Sequence, residues 1–467
     1  MKRREFLMAG AVAGAGLVIL KSGSLQAGQS PNEKLNIAAV GVGGRGASDL
    51  AECKSENIVA LCDVNAGNLK KALEKYPGAK CHEDWRKCLE QKDIDAVVCA
   101  TTDHTHAFVN VWAMNRGKHV YCEKPLANGV HEARTVRETY LKNKDKIATQ
   151  MGTQIHASDN FRRVVELIRG GAIGKPQEAR VWCSRTPHGG DYLPAAGDPP
   201  EGLNWDLWCG PSPVHPFNPE YLKGGCLGWN PFWDFGSGQI GDMGSHMMDL
   251  AYWAFDLRLP TTCKAEGTPI SPGTCPQWLT AEWDHPANDW RPAVKVYWYD
   301  GGKMPGMPSK IFDRSPEALF KGMLFKGDAG FLLADYDYRL VMPTKGDMTQ
   351  YKSPKPEDLI PPSKGHHREW IDACKTDKKT LCNFDYAGAM IENNLLALVS
   401  FRLGKVKSRD ITTVTGKGKD KQTEKVKEEY TEGRPLQWDA AALKATGCPE
   451  ADAFVTKKYR EGWVLNG

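Results

Sequence analysis

The sequence has 14 cysteines but no C-x-x-C pair among them, which leaves no zinc framework. Several cysteines lie inside apolar, strand-like runs, such as Cys62 in "IVALCDV" and Cys99 in "DAVVCATT"; free buried thiols are expected. There is little surplus charge: 61 basic residues against 57 acidic ones leave +4 over 467 residues. No basic footprint is available for nucleic acid, and no such partner is expected. The basic residues that do cluster, from Gly416 to Tyr430, alternate with acids and suit a solvated hairpin or loop. Long apolar runs are also missing. The run Leu7–Leu20 stops at fourteen residues, short of the ~20 that a bilayer span needs, and no other stretch qualifies.

The same N-terminal run has a different use. Arg3 and Arg4 precede Phe6-Leu7, the apolar segment follows, and small residues cluster near Ala27. A charged start, a short apolar run and small residues describe a signal peptide. The arginine pair resembles a twin-arginine signal, read by a translocase that exports folded proteins. Residues 1–30 are therefore expected to be such a signal and the protein to be periplasmic or exported, with no stable membrane span after processing. Leu25 sits where a small residue is preferred, so the cleavage point stays open. A chain folded in the cytoplasm before export would keep its thiols reduced as it folds.

From Leu35 the pattern alternates apolar strands with helices: "LNIAAV", "NIVALCDV", "DAVVCATT" and "HVYCEKP" are strands, separated by helical stretches. This rhythm predicts a parallel sheet with helices on its faces. Gly41, Gly43 and Gly46 form G-x-G-x-x-G between the first strand and first helix, with Gly44 and Arg45 in the same loop. The first glycine permits a tight turn, the second a close approach to a pyrophosphate, and the third close helix–strand packing. Helix N-terminal amides would then face the anion. Asp63 stands 22 residues past Gly41, where an acid can accept hydrogen bonds from an adenosine ribose and repel a 2′-phosphate. NAD is expected, with NADP less favoured, although Arg45 could soften that choice.

Three further stretches carry a resemblance. "ATTDHTHA" follows the "DAVVC" strand, "EKPLA" follows "KHVYC", and "GDMGSH" lies downstream. Together they resemble the glucose–fructose oxidoreductase/inositol dehydrogenase family (Gfo/Idh/MocA). Thr101, Asp103 and His106 match that family's first motif, with Thr102 replacing a proline. The resemblance implies a two-part α/β fold. An N-terminal Rossmann parallel sheet (33–150) would be followed by a C-terminal α+β domain (151–405) with an open, mostly antiparallel sheet. A tail (406–467) would pack on the core or on a partner. It also implies cofactor contacts from Thr101, Asp103, His106, Glu123 and Lys124, and a Lys124–Pro125 bond that is commonly cis.

Asp242 and His246 are four residues apart in a helical stretch and share one face. A carboxylate there can orient an imidazole and raise its pKa, tuning a general base. By the resemblance His246 is the catalytic acid/base, Asp242 binds substrate and tunes it, and Lys124 completes a triangle around the reacting hydroxyl. Gln154 and Arg162, in the link between domains, are expected substrate contacts. The density of Trp, Tyr and Phe between residues 204 and 235 suits a carbohydrate, a subunit interface or loop packing. His104 with His106, and His366 with His367, lack a third ligand at a recognised spacing, so no metal is expected. The implied partners are a small carbohydrate and a second copy of the chain, as a dimer or tetramer.

Free NAD is not expected outside the cytoplasm. An exported enzyme of this kind would load its cofactor first and recycle it within one site. A sugar oxidoreductase meets that condition. So does a redox-neutral glycosidase that oxidises, eliminates and re-reduces. A non-catalytic sugar-binding module would need no acid/base set.

Overall fold

The computed structural model describes residues 33–306, 321–344, 351–352, 354–355, 359–376, 379–415 and 422–466. The expected signal lies outside them, as do residues 416–421 of the basic stretch.

The first sheet is built from β1 (Asn36–Val40), β2 (Asn57–Cys62), β3 (Lys80–His82), β4 (Ala96–Cys99), β5 (His119–Glu123) and β6 (Thr149–Gly152). All pairings are parallel, in the order β3-β2-β1-β4-β5-β6. Every residue of β4 is buried, as are four of five in β1, because helices cover both faces and leave no side free for polar alternation. Strand order reverses between β1 and β4, which opens a crevice at their C-terminal ends, where ligands of open α/β sheets bind. The short strands β3 and β6 carry too few residues to show a pattern. Met151 and Gly152 still pair with β5, so the first sheet runs past the expected boundary at residue 150.

The second sheet contains β7 (Pro176–Cys183), β8 (Thr262–Gly267), β9 (Leu279–His285), β10 (Val294–Asp300), β11 (Lys321–Gly327), β12 (Gly330–Ala334), β13 (Arg339–Pro343), β14 (Lys405–Thr415) and β15 (Gln422–Glu432). Their order is β13-β12-β11-β7-β10-β9-β8-β15-β14, antiparallel except where β7 meets β10. Burial alternates along β8, β9 and β10, the signature of a sheet with one face on a core. That face packs on two long helices, Gly238–Phe255 and Phe384–Arg402; the Trp283 indole donates to the Asn393 carbonyl at 2.9 Å.

Residues from 406 onward, expected as a tail, begin instead as sheet: β15 pairs with β8, and β16 (Leu436–Asp439) pairs with the other end of β8. Only the last stretch behaves as a tail. Trp463 packs near Trp85 and Phe108, and the Trp112 indole donates to the Val464 carbonyl at 3.0 Å, so the tail lies on the first domain. The helix His366–Cys374 also crosses back, laying Trp370 and Ile371 on Ile37, Ala96, Val98 and Tyr121. All 14 cysteines are free and twelve are buried.

Candidate active site at the strand ends

The first and third glycines of the loop have the geometry their spacing implies, while a Cβ on the second, Gly43, would stand 2.5 Å from Asn68 Nδ2. Gly41 adopts φ +83°, and a Cβ there would stand 2.4 Å from the Ala100 carbonyl oxygen; a Cβ on Gly46 would stand 2.0 Å from that of Gly41. Neither position tolerates a side chain. Gly44 opens the helix Gly44–Glu52, whose N-terminus no side chain caps, and a Cβ at Gly44 would meet open space. These features fit a dinucleotide pyrophosphate. Asp63 closes β2 with its Oδ2 accepting from the Val42 and Gly43 amides at 2.9 and 3.3 Å, and its Oδ1 from Asn65 at 2.9 Å. It thus binds the loop to the strand end, and burial raises its pKa. Asn68 Nδ2 also donates to Oδ2 at 3.3 Å, so four donors already occupy the roughly four acceptor positions of the carboxylate, and a ribose would have to displace one of them.

Beyond β5 the chain turns through a cis Lys124–Pro125 bond. Lys124 Nζ is paired with Asp242 Oδ1, and Arg185 Nη1 lies 2.9 Å from Asp242 Oδ2. The two cations hold Asp242 below the usual carboxylate range although burial opposes them, and Asp242 raises the Lys124 pKa. One turn along the same helix, His246 places Nδ1 3.2 Å from Thr153 Oγ1. Burial and the Lys124 charge push this imidazole down to about 3, outweighing the upward pull of Asp242. The expectation that Asp242 raises the histidine therefore holds in sign for that one pair but not in outcome. Its oxygens already serve two cations.

The remaining expected residues divide. Glu123 Oε1 accepts from Arg45 Nε at 3.1 Å and from Gln154 Nε2 at 2.6 Å, while Gln154 also reaches the Tyr121 hydroxyl at 3.0 Å. Gln154 is thereby held on the first domain. Arg162 is not brought to the site. It is buried, ion-paired with Glu369 at 2.7 Å, with its guanidinium 5.9 Å from the Trp253 ring, two turns from His246. The extended spacing of a linker gave no way to tell which face of the following helix it would occupy. His106 lies beneath the site, its nitrogens 2.7 Å from the Pro125 carbonyl oxygen and 3.0 Å from that of Thr101. It ties the two loops together. The Thr101 hydroxyl turns to the Thr102 carbonyl, and the buried Asp103 accepts from the Trp229 indole at 3.0 Å.

Of the histidines weighed as metal ligands, His104 faces the Trp208 and Phe235 carbonyls, His366 the Met151 carbonyl and His367 the Asp49 carboxylate. All are engaged with protein groups.

Arg185 and Thr153 were not singled out by sequence. Arg185 lies just past the buried end of β7, the same relation that Lys124 bears to β5, and that parallel was the available signal. The aromatic segment between 204 and 235 resolves into packing: Trp205 and Trp208 stack at 4.4 Å and lie buried with Phe217, Tyr221, Phe232 and Phe235. This unit is anchored on both sides of the glycine loop. Ala66 and Asn204 amides donate to the Gly202 and Val64 carbonyls at 2.8 and 2.9 Å beside the end of β2. On the other flank it meets His104 and Asp103 after β4.

Two family models match this chain. A model described as "oxidoreductase family, NAD-binding Rossmann fold" covers residues 35–151, and one described as "oxidoreductase family, C-terminal alpha/beta domain" covers residues 184–283. Among curated relatives, an inositol 2-dehydrogenase of Salmonella typhimurium is 33% identical over 147 residues, 30% of this chain and 44% of that protein. A levoglucosan dehydrogenase of Pseudarthrobacter phenanthrenivorans is 27% identical over 198 residues, 41% and 40% of the two chains. The chain thus spans less than half the length of these relatives. The WlbA dehydrogenase of Bordetella pertussis, solved with NADH and UDP-GlcNAcA, shares the fold at 15% identity with a TM-score of 0.54, over 78% of this chain and 95% of that one. An NAD-binding protein from Listeria innocua does so at 16% identity and 0.51, over 79% and 94%.

Proposed function

The chain belongs to the Gfo/Idh/MocA family of NAD-binding oxidoreductases, and from that premise we propose that it oxidises and reduces a carbinol carbon of a sugar, glycoside or polyol with a tightly held, internally recycled NAD. The observation that carries this reading is the neutral His246 beside the Lys124–Asp242–Arg185 ion cluster at the carboxyl ends of the strands.

NAD, when bound, supplies the hydride acceptor and donor; the glycine loop and Asp63 would hold it. The protein's own part is proton chemistry. His246 is uncharged and can accept the proton of a substrate hydroxyl. Lys124 stays protonated through its pairing with Asp242 and can donate a hydrogen bond to the same oxygen as negative charge builds on it. Arg185 takes the second oxygen of Asp242, so that carboxylate is fixed from both sides and Lys124 is fixed with it. A binding module would have no use for a neutral base beside a restrained ammonium.

Retention of the cofactor draws on the aromatic unit. Because β1 lies between β2 and β4, a segment anchored at both of their ends would pass along the glycine-loop side of the crevice, which supports slow cofactor exit. Together with the arginine pair at residues 3 and 4, this favours loading before export.

The test uses full-length protein purified as expressed. Denaturation should release NAD(H), and incubation with a panel of glycosides and polyols should give keto products by mass spectrometry. Free sugar and aglycone would move the assignment to redox-neutral cleavage. A cofactor-free protein that leaves every compound unchanged would overturn both.

A further inference from the structure

Asp242 is already committed to two cations, so a different group must orient the imidazole that the proposed reaction needs. We infer that Thr153 is that positioning residue: it fixes His246 as the Nδ1–H tautomer and leaves the Nε2 lone pair as the base. The assignment rests on the proposed role of His246.

Thr153 is fully buried and follows directly on β6. Its backbone is held on both sides: its amide donates to the Met151 carbonyl at 2.8 Å, and its carbonyl accepts from the His156 amide at 3.0 Å. The side chain therefore has a fixed origin. Its Oγ1 lies 3.2 Å from the Ser245 carbonyl oxygen and 3.2 Å from His246 Nδ1.

A hydroxyl has one proton to donate and two lone pairs. The Ser245 carbonyl can only accept, so the hydroxyl proton goes there, and an Oγ1 lone pair is left facing the imidazole. The contact is a hydrogen bond only if Nδ1 carries the ring proton. The opposite arrangement, with the hydroxyl donating to Nδ1, forfeits the bond to Ser245 inside a buried site and puts the ring proton on Nε2, where it cannot act as a base. A hydroxyl suits this site in a second way. A carboxylate at the same place would favour the imidazolium, whereas Thr153 orients the ring without adding charge, which matches a histidine that burial keeps neutral.

The experiment compares Thr153→Val, which keeps the shape and removes the hydroxyl, with Thr153→Ser, which keeps the hydroxyl. Two readouts apply: ¹⁵N NMR of histidine-labelled holoprotein, with the His246 resonances assigned by their loss in His246→Gln, and kcat and KM on a turned-over glycoside. Wild type and Thr153→Ser should show His246 as Nδ1–H. Thr153→Val should shift the ring toward Nε2–H and lower kcat by about 10–100-fold, less than the ~10⁴-fold reported when a buried carboxylate is the orienting group, with KM little changed. An Nε2–H ring in wild type, or an unaltered Nδ1–H ring in Thr153→Val, would overturn the inference. The spectra decide this even if no glycoside is turned over, so failure of the proposed reaction is read separately.

Discussion

Asp242 and Asp249 stand two turns apart on one helix, and both are buried. Asp242 is shared by Lys124 and by an Arg185 whose side chain is 34% exposed. Asp249 is enclosed: His156 Nδ1 lies 2.9 and 3.0 Å from its two oxygens, and the Tyr386 hydroxyl donates at 2.8 Å. Above His156 the Trp253 ring stacks at 4.0 Å. Both clusters set a buried aspartate near a histidine, but only the first adds a lysine and an arginine. Where one member reaches solvent, the charges can serve a substrate; where every face is covered, they serve the packing of two helices and a turn.

The contrast can be broken by mutation. His246→Ala should lower turnover by roughly 10²–10⁴-fold while leaving the melting temperature near wild type; stopped-flow absorbance of the bound cofactor reads the first and calorimetry the second. His156→Ala should do the reverse. It removes the ring that faces both oxygens of a buried carboxylate, a loss of roughly 1.5–3 kcal/mol of stability for a hydrogen bond to a charged group, measured by urea unfolding, with turnover per folded molecule largely kept. If His156→Ala proved stable but inactive, the two clusters would have to exchange roles.

Asp63→Ala probes the cofactor side, with an effect of similar size. Removing acceptors for the Val42, Gly43 and Asn65 amides should weaken NAD binding by about 1.5–3 kcal/mol, seen by calorimetry on stripped protein. Unchanged affinity would mean that neither the loop nor a ribose depends on this carboxylate.

The smallest expected effect is none. His246 is held down to about 3, so it remains a competent base throughout the range where an ordinary imidazole, near 6.5, would be lost. The profile of kcat/KM should show no acid limb near pH 6.5. Stability behaves differently over the same window. His104, His119, His285 and His366 are also held down, to about 4 or 3, by burial. Their folded pKa values lie below the unfolded one, so the unfolded chain binds more protons as pH falls from about 6.5 toward 4, and folding stability drops with it. Melting temperatures across pH check this; a flat series would contradict the burial of these rings.

Much of the first domain and the polar residues of the site could be read because their signals are local. The glycines at 41, 43 and 46, the acid at 63 and the motifs around Lys124, Asp242 and His246 each declare themselves within a few residues. The rest depends on which chain segments meet. Nothing in "GTQIHAS" says that Thr153 faces His246 93 residues on, or that Arg162 turns to Glu369. The charged stretch from Gly416 reads as a solvated hairpin or loop, and β14 and β15 do pair antiparallel, but its composition does not say that β15 also joins β8. Trp205 and Trp208 could not be assigned from composition, since stacking on each other and stacking on a sugar call for the same residues.

The helix His366–Cys374 bears on how the protein is made. Its Trp370 and Ile371 cover a face formed by Leu35, Ile37, Ala96, Val98 and Tyr121, which is complete in sequence once β6 ends at Gly152. About 220 further residues must be synthesised before the cover exists. At roughly 5–20 residues per second that apolar face waits some 10–45 s on the ribosome. The first domain emerges early yet matures late, and a chain released before residue 374 leaves that face bare, a handle for chaperones and proteases.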